Sequence, residues 1–264
     1  MTPNIDYHTH PQGHAVRPYT LELLTPWVER CRQQRIVSIA FTDHDRYHSG
    51  VSFPVIEQLR AANPDVEILI GIELDNDPVT APSGLRWVQE NWPQLDYVLG
   101  SVHYFPGESR MFDGSDQAIQ LQSRGSNAAF ELYLSELHKL IARGSIDCLS
   151  HLDLVKIHKL FPSEYDPFMW FKPVLDQVQS AGLALEINTA GWRKPVGEQY
   201  PQADIIREAV RRQIPITVSS DAHSFAQVGE DYERLAVVMA EAGVKKLTRF
   251  WRHEKKHSAL SIEH

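Results

Sequence analysis

The feature that most constrains the fold of this chain is an alternation of short apolar runs with helical patterns. Seven runs rich in β-branched residues recur, and a segment with helical spacing follows each of them. The predicted strands are Asn4–His8, Ile36–Phe41, Glu67–Ile72, Asp96–Ser101, Ile146–Ser150, Leu183–Ile187 and Pro215–Ser219. The predicted helices cover about 20–34, 52–62, 82–91, 127–143, 166–181, 202–212 and 230–242. Seven successive βα units predict an α/β fold with a parallel sheet and helical crossovers.

The length and uniform composition of the chain predict one domain that spans residues 1–264. The 264 residues suit a single α/β barrel, and no linker, repeat or low-complexity segment divides them. The longest irregular stretches, roughly 104–125 and 189–200, both follow strands, so we expect them over the same barrel face. The polar tail Arg249–His264 is expected to be a solvated terminal helix or extension.

Composition also limits the surroundings and partners of the protein. There is no run of about 18 apolar residues and no signal-peptide pattern, so we expect a soluble, cytoplasmic protein without membrane contact. Cys31 and Cys148 lack CxxC spacing and are expected to be buried thiols. The net charge of −8 disfavours nucleic acid as a partner. The sequence leaves a homo-oligomer open.

Local signals predict where several helices begin and end. Thr25-Pro26 has the form of a capping hydroxyl followed by a proline at the first helical position. Gly182 and Gly243 each follow a helical pattern and are expected to stop it.

Histidine and carboxylate residues follow the predicted strands. Because the carboxyl ends of the strands in a parallel barrel face the same side, we expect these side chains to converge on one rim. Residues i and i+2 of an extended segment point to the same side, so His8 and His10 can reach one ion together. The candidate metal ligands are His8, His10, His14, His44, Glu73, His103, His151, Asp221 and His223.

This ligand set predicts more than one metal ion. Imidazoles combined with carboxylates suit Zn, Fe or Mn, whereas Ca or Mg prefers ligands that are all oxygen. Nine ligands are too many for a single tetrahedral centre. They suffice for two or three ions that share a bridging carboxylate.

The motifs around these residues resemble the polymerase-and-histidinol-phosphatase (PHP) family of phosphoesterases. They occur in family order and are Asp6-Tyr7-His8-Thr9-His10, Thr42-Asp43-His44, Gly71-Ile72-Glu73, Ser101-Val102-His103, Ser150-His151-Leu152-Asp153 and Ser219-Ser220-Asp221-Ala222-His223. The resemblance implies a distorted (β/α)7 TIM-like barrel and three metal ions. The ligand sets that it implies are His8, His10, Glu73 and Asp221 for one ion, Glu73, His103 and His151 for a second, and His14, His44 and His223 for a third.

Within that family, the chain resembles the stand-alone histidinol phosphatases of histidine biosynthesis. The stretch Asn188-Thr189-Ala190-Gly191-Trp192-Arg193-Lys194-Pro195 carries part of this resemblance, although Lys156 stands where an arginine is often expected. The implied reaction is phosphomonoester hydrolysis with a metal-bridging hydroxide as nucleophile.

Particular residues receive roles in that reaction. Asp221, Glu73 and His223 are assigned to catalysis, with Asp221 as the candidate for proton handling. Arg193 and Lys156 are the candidate phosphate-binding residues. Asp113 and Asp116 could meet a substrate ammonium group, but we expect them to be solvated loop carboxylates. Asp43 and Asp45 flank His44 and are candidates to orient its ring.

Three alternative functions stay open at this point. The chain could be a PHP phosphoesterase that acts on nucleotides or on another small phosphoester. It could be an amidohydrolase, which also begins with His-x-His after the first strand but usually carries a ligand lysine. It could also be a non-catalytic metal-binding protein.

Overall fold

Seven parallel strands form one sheet, in the order in which they occur along the chain. The computed structural model describes residues 2–259. The strands are β1 (Ile5–Asp6), β2 (Ser38–Phe41), β3 (Glu67–Leu74), β4 (Tyr97–Gly100), β5 (Cys148–Leu149), β6 (Ala184–Asn188) and β7 (Ile216–Ser219). Each of the seven predicted strands is therefore present, although β1 and β5 are short.

The first and last strands of this sheet approach each other and nearly close it into a barrel. The amide of Tyr7 donates to the carbonyl of Val218 at 3.2 Å, and the amide of His10 donates to the carbonyl of Ala222 at 2.8 Å. A parallel bridge joins Thr9 to Ala222 along the same seam. The predicted fold class, a single-domain (β/α)7 TIM-like barrel, is confirmed.

Helices occupy the connections between the strands. They are α1 (Leu21–Gln33), α2 (Phe53–Ala62), α3 (Ala81–Asn91), α4 (Ala118–Arg124), α5 (Ser126–Arg143), α6 (Pro167–Ser180), α7 (Ala203–Arg211) and α8 (Tyr232–Ala242). Seven of them match the predicted helices to within two residues at each end. Helix α4 lies in the stretch that was expected to be irregular, and its single buried residue, Leu121, gave too weak a pattern. Among residues 2–259, no helix is long and apolar enough to cross a membrane.

The cap of α1 is not the predicted Thr25-Pro26 pair, whereas two predicted glycine stops are confirmed. Thr20 is the N-cap, with its side chain accepting from the amide of Leu23, so Pro26 lies inside the helix. The earlier start lets Leu24 join the buried face of the helix. Gly182 and Gly243 follow α6 and α8 with φ of 65° and 78°, a conformation that favours glycine.

The region after α8 forms a β-hairpin, so the expectation of a solvated terminal helix or extension is wrong. Its strands are β8 (Lys246–Trp251) and β9 (Glu254–Ala259), whereas residues 260–264 of the tail lie outside the described residues. Phe250 is buried against the rings of Tyr7 and Tyr97, with ring centroids 6.2 and 4.5 Å away. The two-residue turn lacks the Asn-Gly signal of a hairpin, so the sequence pattern does not predict one here.

The hairpin packs against the amino ends of the central strands. Arg249 forms an ion pair at 2.7 Å with Glu67, the first residue of β3. The amide of His253 donates to the carbonyl of Asp96, directly before β4, at 2.9 Å. This end of the barrel is opposite to the carboxyl ends of the strands, so the hairpin stabilises the fold away from the predicted rim. Cys31 and Cys148 are both buried free thiols, as predicted.

His253 connects the hairpin to the barrel through both of its ring nitrogens. Its Nδ1 lies 2.7 Å from Oδ2 of Asp147, and its Nε2 lies 2.9 Å from the carbonyl oxygen of Trp92. Both partners are acceptors, so only the doubly protonated imidazolium can donate to both. Desolvation lowers the pKa of His253, but the hydrogen bond and the charge of Asp147 outweigh it, so the pKa is raised.

Replacing His253 should therefore destabilise the fold in a pH-dependent way. The pKa of His253 is higher in the folded state than in the unfolded state, where it is about 6.5. The free energy that the charged His253 contributes to folding is therefore fully present below about pH 6.5, and it is lost as the pH rises through the folded-state pKa. We expect His253→Asn, which tolerates the positive φ of this turn position, to lower the free energy of unfolding at pH 6 by about 1 kcal/mol. Urea unfolding of both proteins from pH 6 upward measures this, and a pH-independent difference would contradict it.

Candidate metal centre

The nine candidate ligands predicted from the sequence converge at the carboxyl ends of the strands. Glu73 belongs to β3, and the other candidates lie in the segments that follow β1, β2, β4, β5 and β7. His14 is at the exposed edge of the cluster, with its ring centroid 4.6 Å from that of His223. The closing seam of the barrel brings the segment of His8 and His10 beside that of Asp221 and His223.

The carboxylate of Glu73 lies at the centre of this cluster. Its Oε2 is 3.3 Å from Nε2 of His8 and 3.5 Å from Nε2 of His10. Its Oε1 is 3.2 Å from Nε2 of His103 and 3.1 Å from Nε2 of His151. The two oxygens thus face two different groups of imidazoles, which is the arrangement that a bridging ligand requires.

Asp221 completes the first of these groups. Its Oδ1 lies 3.3 Å from Nε2 of His10 and 3.9 Å from Nε2 of His8. Its backbone has a φ of 53°, a left-handed conformation that aspartate adopts more readily than most residues. The side-chain nitrogen Nδ2 of Asn188 donates to Oδ2 of Asp221 at 3.2 Å, which fixes the carboxylate between the closing strands.

The spacing of these atoms fits divalent metal ions. Two ligand atoms that bind one tetrahedral ion at about 2.1 Å lie about 3.4 Å apart. The contacts of Glu73 and Asp221 with His8 and His10 include three at 3.3 to 3.5 Å. Among the described residues, the buried Nε2 atoms of His8 and His10 and Oε2 of Glu73 have no hydrogen-bond partner. Buried polar atoms without partners are costly, and a shared cation would satisfy them.

A third group of histidines differs slightly from the set that the family resemblance implied. His10, His44 and His223 have ligand atoms within 4.8 Å of one another, whereas His14 is not part of that triad. The rings of His10 and His44 have centroids 4.6 Å apart, and those of His10 and His223 are 4.3 Å apart. His14 would have to reorient its exposed side chain to take part.

Electrostatic interactions keep both central carboxylates ionised. Burial raises the pKa of Glu73, but the charges of His44 and His8 outweigh it and hold the pKa well below its usual range. Burial likewise raises the pKa of Asp221, and the charge of His8 together with the close contact with His10 lowers it well below the usual value. Ionised carboxylates are the form that binds metal ions.

Two buried carboxylates that the sequence reasoning missed contact ring nitrogens of candidate ligands. Oε1 of Glu186 lies 2.8 Å from Nδ1 of His8, opposite to the Nε2 that faces Glu73, so Glu186 can fix the tautomer and ring orientation of this histidine. Oδ2 of Asp75 lies 3.0 Å from Nδ1 of His44, a nitrogen that also lies 2.9 Å from Oε2 of Glu73. Asp75 thereby joins His44, Glu73 and His103 in a further group of candidate ligands. Glu186 lies inside β6, and Asp75 directly follows β3. A carboxylate within or just after a buried strand is therefore the sequence feature that could have identified both residues.

Neither of the carboxylates that flank His44 in the sequence contacts its ring. Asp43 accepts from the hydroxyl of Tyr19 at 2.7 Å and from the amide of Gln12 at 2.9 Å, which holds the segment after β1. The buried carboxylate oxygens of Asp45 have no hydrogen-bond partner within the described part of the chain. The expectation that these residues orient His44 is therefore wrong, and the ring of His44 contacts Asp75 and Glu73 instead.

A cavity of about 320 Å³ opens above the cluster. Apolar side chains form one part of its lining, and charged side chains from the long loops form another. The lining residues used below are Met111, Asp113, Leu154, Ile157, Arg193, Lys194 and Tyr200.

The two predicted phosphate-binding residues are in different surroundings. Arg193 lines the cavity, while its guanidinium also donates to the carbonyl of Ser220 at 2.5 Å and lies 3.3 Å from Glu230. Lys156 does not line the cavity. Its buried ammonium lies 2.9 Å from Asp153 and 2.8 Å from Glu198, because the strand-following turn directs it beneath the 189–200 loop.

Lys194 is a cation that the sequence reasoning did not select. It lines the cavity next to Arg193, and its side chain makes no hydrogen bond or ion pair with the residues that the structure describes. Its charge contributes to the lowered pKa of His14, after desolvation and the charge of His44. An unpaired ammonium in the lining is free to meet an anionic group.

The two aspartates of the 104–125 loop differ in their surroundings. Asp116 is exposed and lies 3.4 Å from Arg110, as expected for a solvated carboxylate. Asp113 lines the cavity, its side chain is only 19% exposed, and its Oδ2 lies 3.5 Å from Nδ1 of His103. The expectation of a solvated loop carboxylate is therefore wrong for Asp113.

Comparison with known proteins agrees with this geometry. A family model described as the PHP domain matches residues 6–190. A probable histidinol-phosphatase from Deinococcus radiodurans is 30% identical over 278 residues, which cover 97% of this chain and 99% of that protein. The histidinol-phosphatase of Bacillus subtilis is 29% identical, with 84% of this chain and 96% of that protein covered.

The fold is also similar to a solved structure. The histidinol phosphate phosphatase from Lactococcus lactis, crystallised with zinc, L-histidinol and phosphate, has a TM-score of 0.68 with 21% identity. The match covers 96% of this chain and 98% of that one. At this identity the likeness shows the shared barrel.

The fold and site define an α/β barrel whose rim carries a histidine–carboxylate cluster suited to divalent metal ions. Since the family model matches most of the chain, and a relative is 30% identical over nearly its whole length, the protein belongs to the PHP family. The predicted family is confirmed, and this favours a phosphoesterase over the amidohydrolase alternative.

Replacing the central carboxylate should release metal. Glu73→Gln removes a charge and turns one oxygen into an amide donor that faces imidazoles, so we expect metal content after gel filtration to fall by more than about tenfold. Elemental analysis measures it. Glu67→Gln is the matched control, because Glu67 begins the same strand at the opposite end and should leave metal content unchanged. A fully loaded Glu73→Gln protein would contradict the central role of this residue.

Proposed function

We propose that this chain is a metal-dependent phosphatase of histidine biosynthesis that hydrolyses L-histidinol phosphate to L-histidinol and inorganic phosphate. The observation that carries the proposal is the position of Glu73, with one oxygen toward His8 and His10 and the other toward His103 and His151. Full-length similarity to histidinol-phosphatases supports this substrate among phosphomonoesters.

The proposed metal complement is two or three ions of Zn, Fe or Mn. His8, His10 and Asp221 would hold one ion, and His103 and His151 a second, with Glu73 shared between them. His44 and His223 would hold another, with His14 completing the set as the family resemblance implies. When bound, such ions lower the pKa of water toward about 7 and neutralise charge on phosphate oxygens.

Residues of the chain have separate roles in the proposed reaction. Asp221 is ionised, lines the cavity and is held by Asn188, so its Oδ1 can accept a proton from the attacking water. Nδ1 of His223 lies 3.2 Å from the backbone carbonyl of Asp221 and must donate to it. This leaves Nε2 of His223 as the nitrogen that can bind a ligand or exchange a proton.

Arg193 and Lys194 supply positive charge for the substrate phosphate. Arg193 is oriented by its contacts with Ser220 and Glu230, whereas the ammonium of Lys194 is unpaired. Lys156 is not needed in this role, because its hydrogens are used by Asp153, Glu198 and the carbonyl of Gln199.

The proposed substrate can be tested by steady-state kinetics on protein of known metal content. We expect kcat/KM for L-histidinol phosphate to exceed that for p-nitrophenyl phosphate and for a nucleoside monophosphate by more than about tenfold. A phosphodiester should be a poorer substrate still, and chelation should abolish turnover. Equal or better hydrolysis of the nucleotide would refute the proposed substrate, and metal-loaded protein without phosphatase activity would refute the reaction.

Removing the unpaired ammonium should weaken phosphate binding. For Lys194→Met we expect an increase of about tenfold in KM and in the inhibition constant of inorganic phosphate, with little change in kcat, because the contact exists before and during the reaction. Lys172→Met is the matched control, since Lys172 is an exposed lysine of α6 that pairs with Asp176. An unchanged inhibition constant in Lys194→Met would exclude this residue from phosphate binding.

A further inference from the structure

The lining of the cavity combines features that a simple phosphate site does not require. Beside the imidazoles and the cations Arg193 and Lys194, it includes one carboxylate from the 104–125 loop, that of Asp113. A carboxylate repels a phosphate dianion, and the contact of Asp113 with His103 involves only Oδ2, so the position of the other oxygen needs a separate explanation.

The position of Asp113 is fixed by the residue before it. Phe112 is buried, its amide donates to the carbonyl of His103 at 2.9 Å, and its carbonyl accepts from His158 at 3.3 Å. Its ring packs against Phe105, with centroids 4.8 Å apart. The loop is therefore held at the point where it presents Asp113 to the cavity.

One oxygen of Asp113 has no hydrogen-bond donor. Oδ2 faces His103, whereas the buried Oδ1 has no hydrogen-bond partner among residues 2–259. A buried carboxylate oxygen without a donor is costly, and a donor supplied by the substrate would satisfy it.

The cavity also has an apolar part. Met111, Leu154, Ile157 and the ring of Tyr200 all face the same cavity as Asp113. A substrate that carries a phosphate at one end and a cationic, partly apolar group at the other would match both kinds of lining.

We propose that Asp113 is the specificity-determining residue of this enzyme, with its carboxylate accepting a hydrogen bond from the ammonium or imidazolium group of the substrate. The inference rests on the proposed function and deepens it. Asp113 would select the phosphomonoesters that carry a cationic group from all the phosphomonoesters that the metal centre could hydrolyse. Asp113 does not take part in the bond-breaking step.

The test compares Asp113→Asn with Asp116→Asn, which changes an exposed carboxylate three residues away on the same loop. Two cationic substrates, L-histidinol phosphate and O-phosphoethanolamine, are compared with p-nitrophenyl phosphate, which has no cation. We expect Asp113→Asn to lower kcat/KM for both cationic substrates by about ten- to a hundredfold. The value for p-nitrophenyl phosphate and the metal content should stay within about twofold, and Asp116→Asn should resemble the unmodified protein.

Two outcomes would overturn the inference. Asp113→Asn could impair all three substrates equally with loss of metal, which would mean that Asp113 acts only by orienting His103. It could also leave all three unchanged. If the unmodified protein does not prefer L-histidinol phosphate but Asp113→Asn still selectively impairs O-phosphoethanolamine hydrolysis, the proposed substrate fails and the cation-binding role of Asp113 is supported.

Inhibition by L-histidinol provides a second test, and this test does not require the enzyme to hydrolyse a cationic substrate. L-histidinol keeps the cationic group but lacks the phosphate, so it should inhibit hydrolysis of p-nitrophenyl phosphate through the contact with Asp113. We expect its inhibition constant to rise by about tenfold or more in Asp113→Asn and to be unchanged in Asp116→Asn. Equal inhibition constants in the two variants would contradict the proposed contact.

Discussion

The structure depends on a buried carboxylate that is surrounded by imidazoles. Glu73 is almost fully buried, and its two oxygens face histidines from the segments after β1, β2, β4 and β5. An ionised carboxylate is costly to bury unless donors or cations compensate it. The ends of several strands must therefore meet at the same point, so this residue couples barrel closure to the assembly of the site.

The two ends of the barrel serve different needs. At the amino ends of the strands, the β8–β9 hairpin buries Phe250 against the rings of Tyr7 and Tyr97, and His253 connects it to Asp147. At the carboxyl ends, irregular segments carry the histidines and carboxylates of the cluster. The packing at the amino ends stabilises the folded state. This stabilisation offsets the cost of the buried charges at the carboxyl ends and of the positive φ of Asp221.

The lining of the cavity also explains how one metal centre could act on a particular phosphoester. The metal cluster and the cations next to it recognise phosphate, which many metabolites share. Selectivity has to come from the remainder of the cavity, where Asp113 and the apolar side chains of Met111 and Tyr200 lie. Because these residues come from the loops after β4 and β6, they can vary without disturbing the barrel.

The sequence by itself determined the seven βα units, the PHP family and the nine residues that converge on the rim, because strand periodicity and local motifs lie within short segments. Only the tertiary structure decided what depends on contacts between distant segments. It placed Glu186 against His8, Asp75 against His44, Lys156 beneath a loop and Asp113 in the cavity. It also folded the terminal region into a hairpin. A carboxylate or a lysine looks the same in sequence whether it is solvated or buried, and its role depends on neighbours that packing alone supplies.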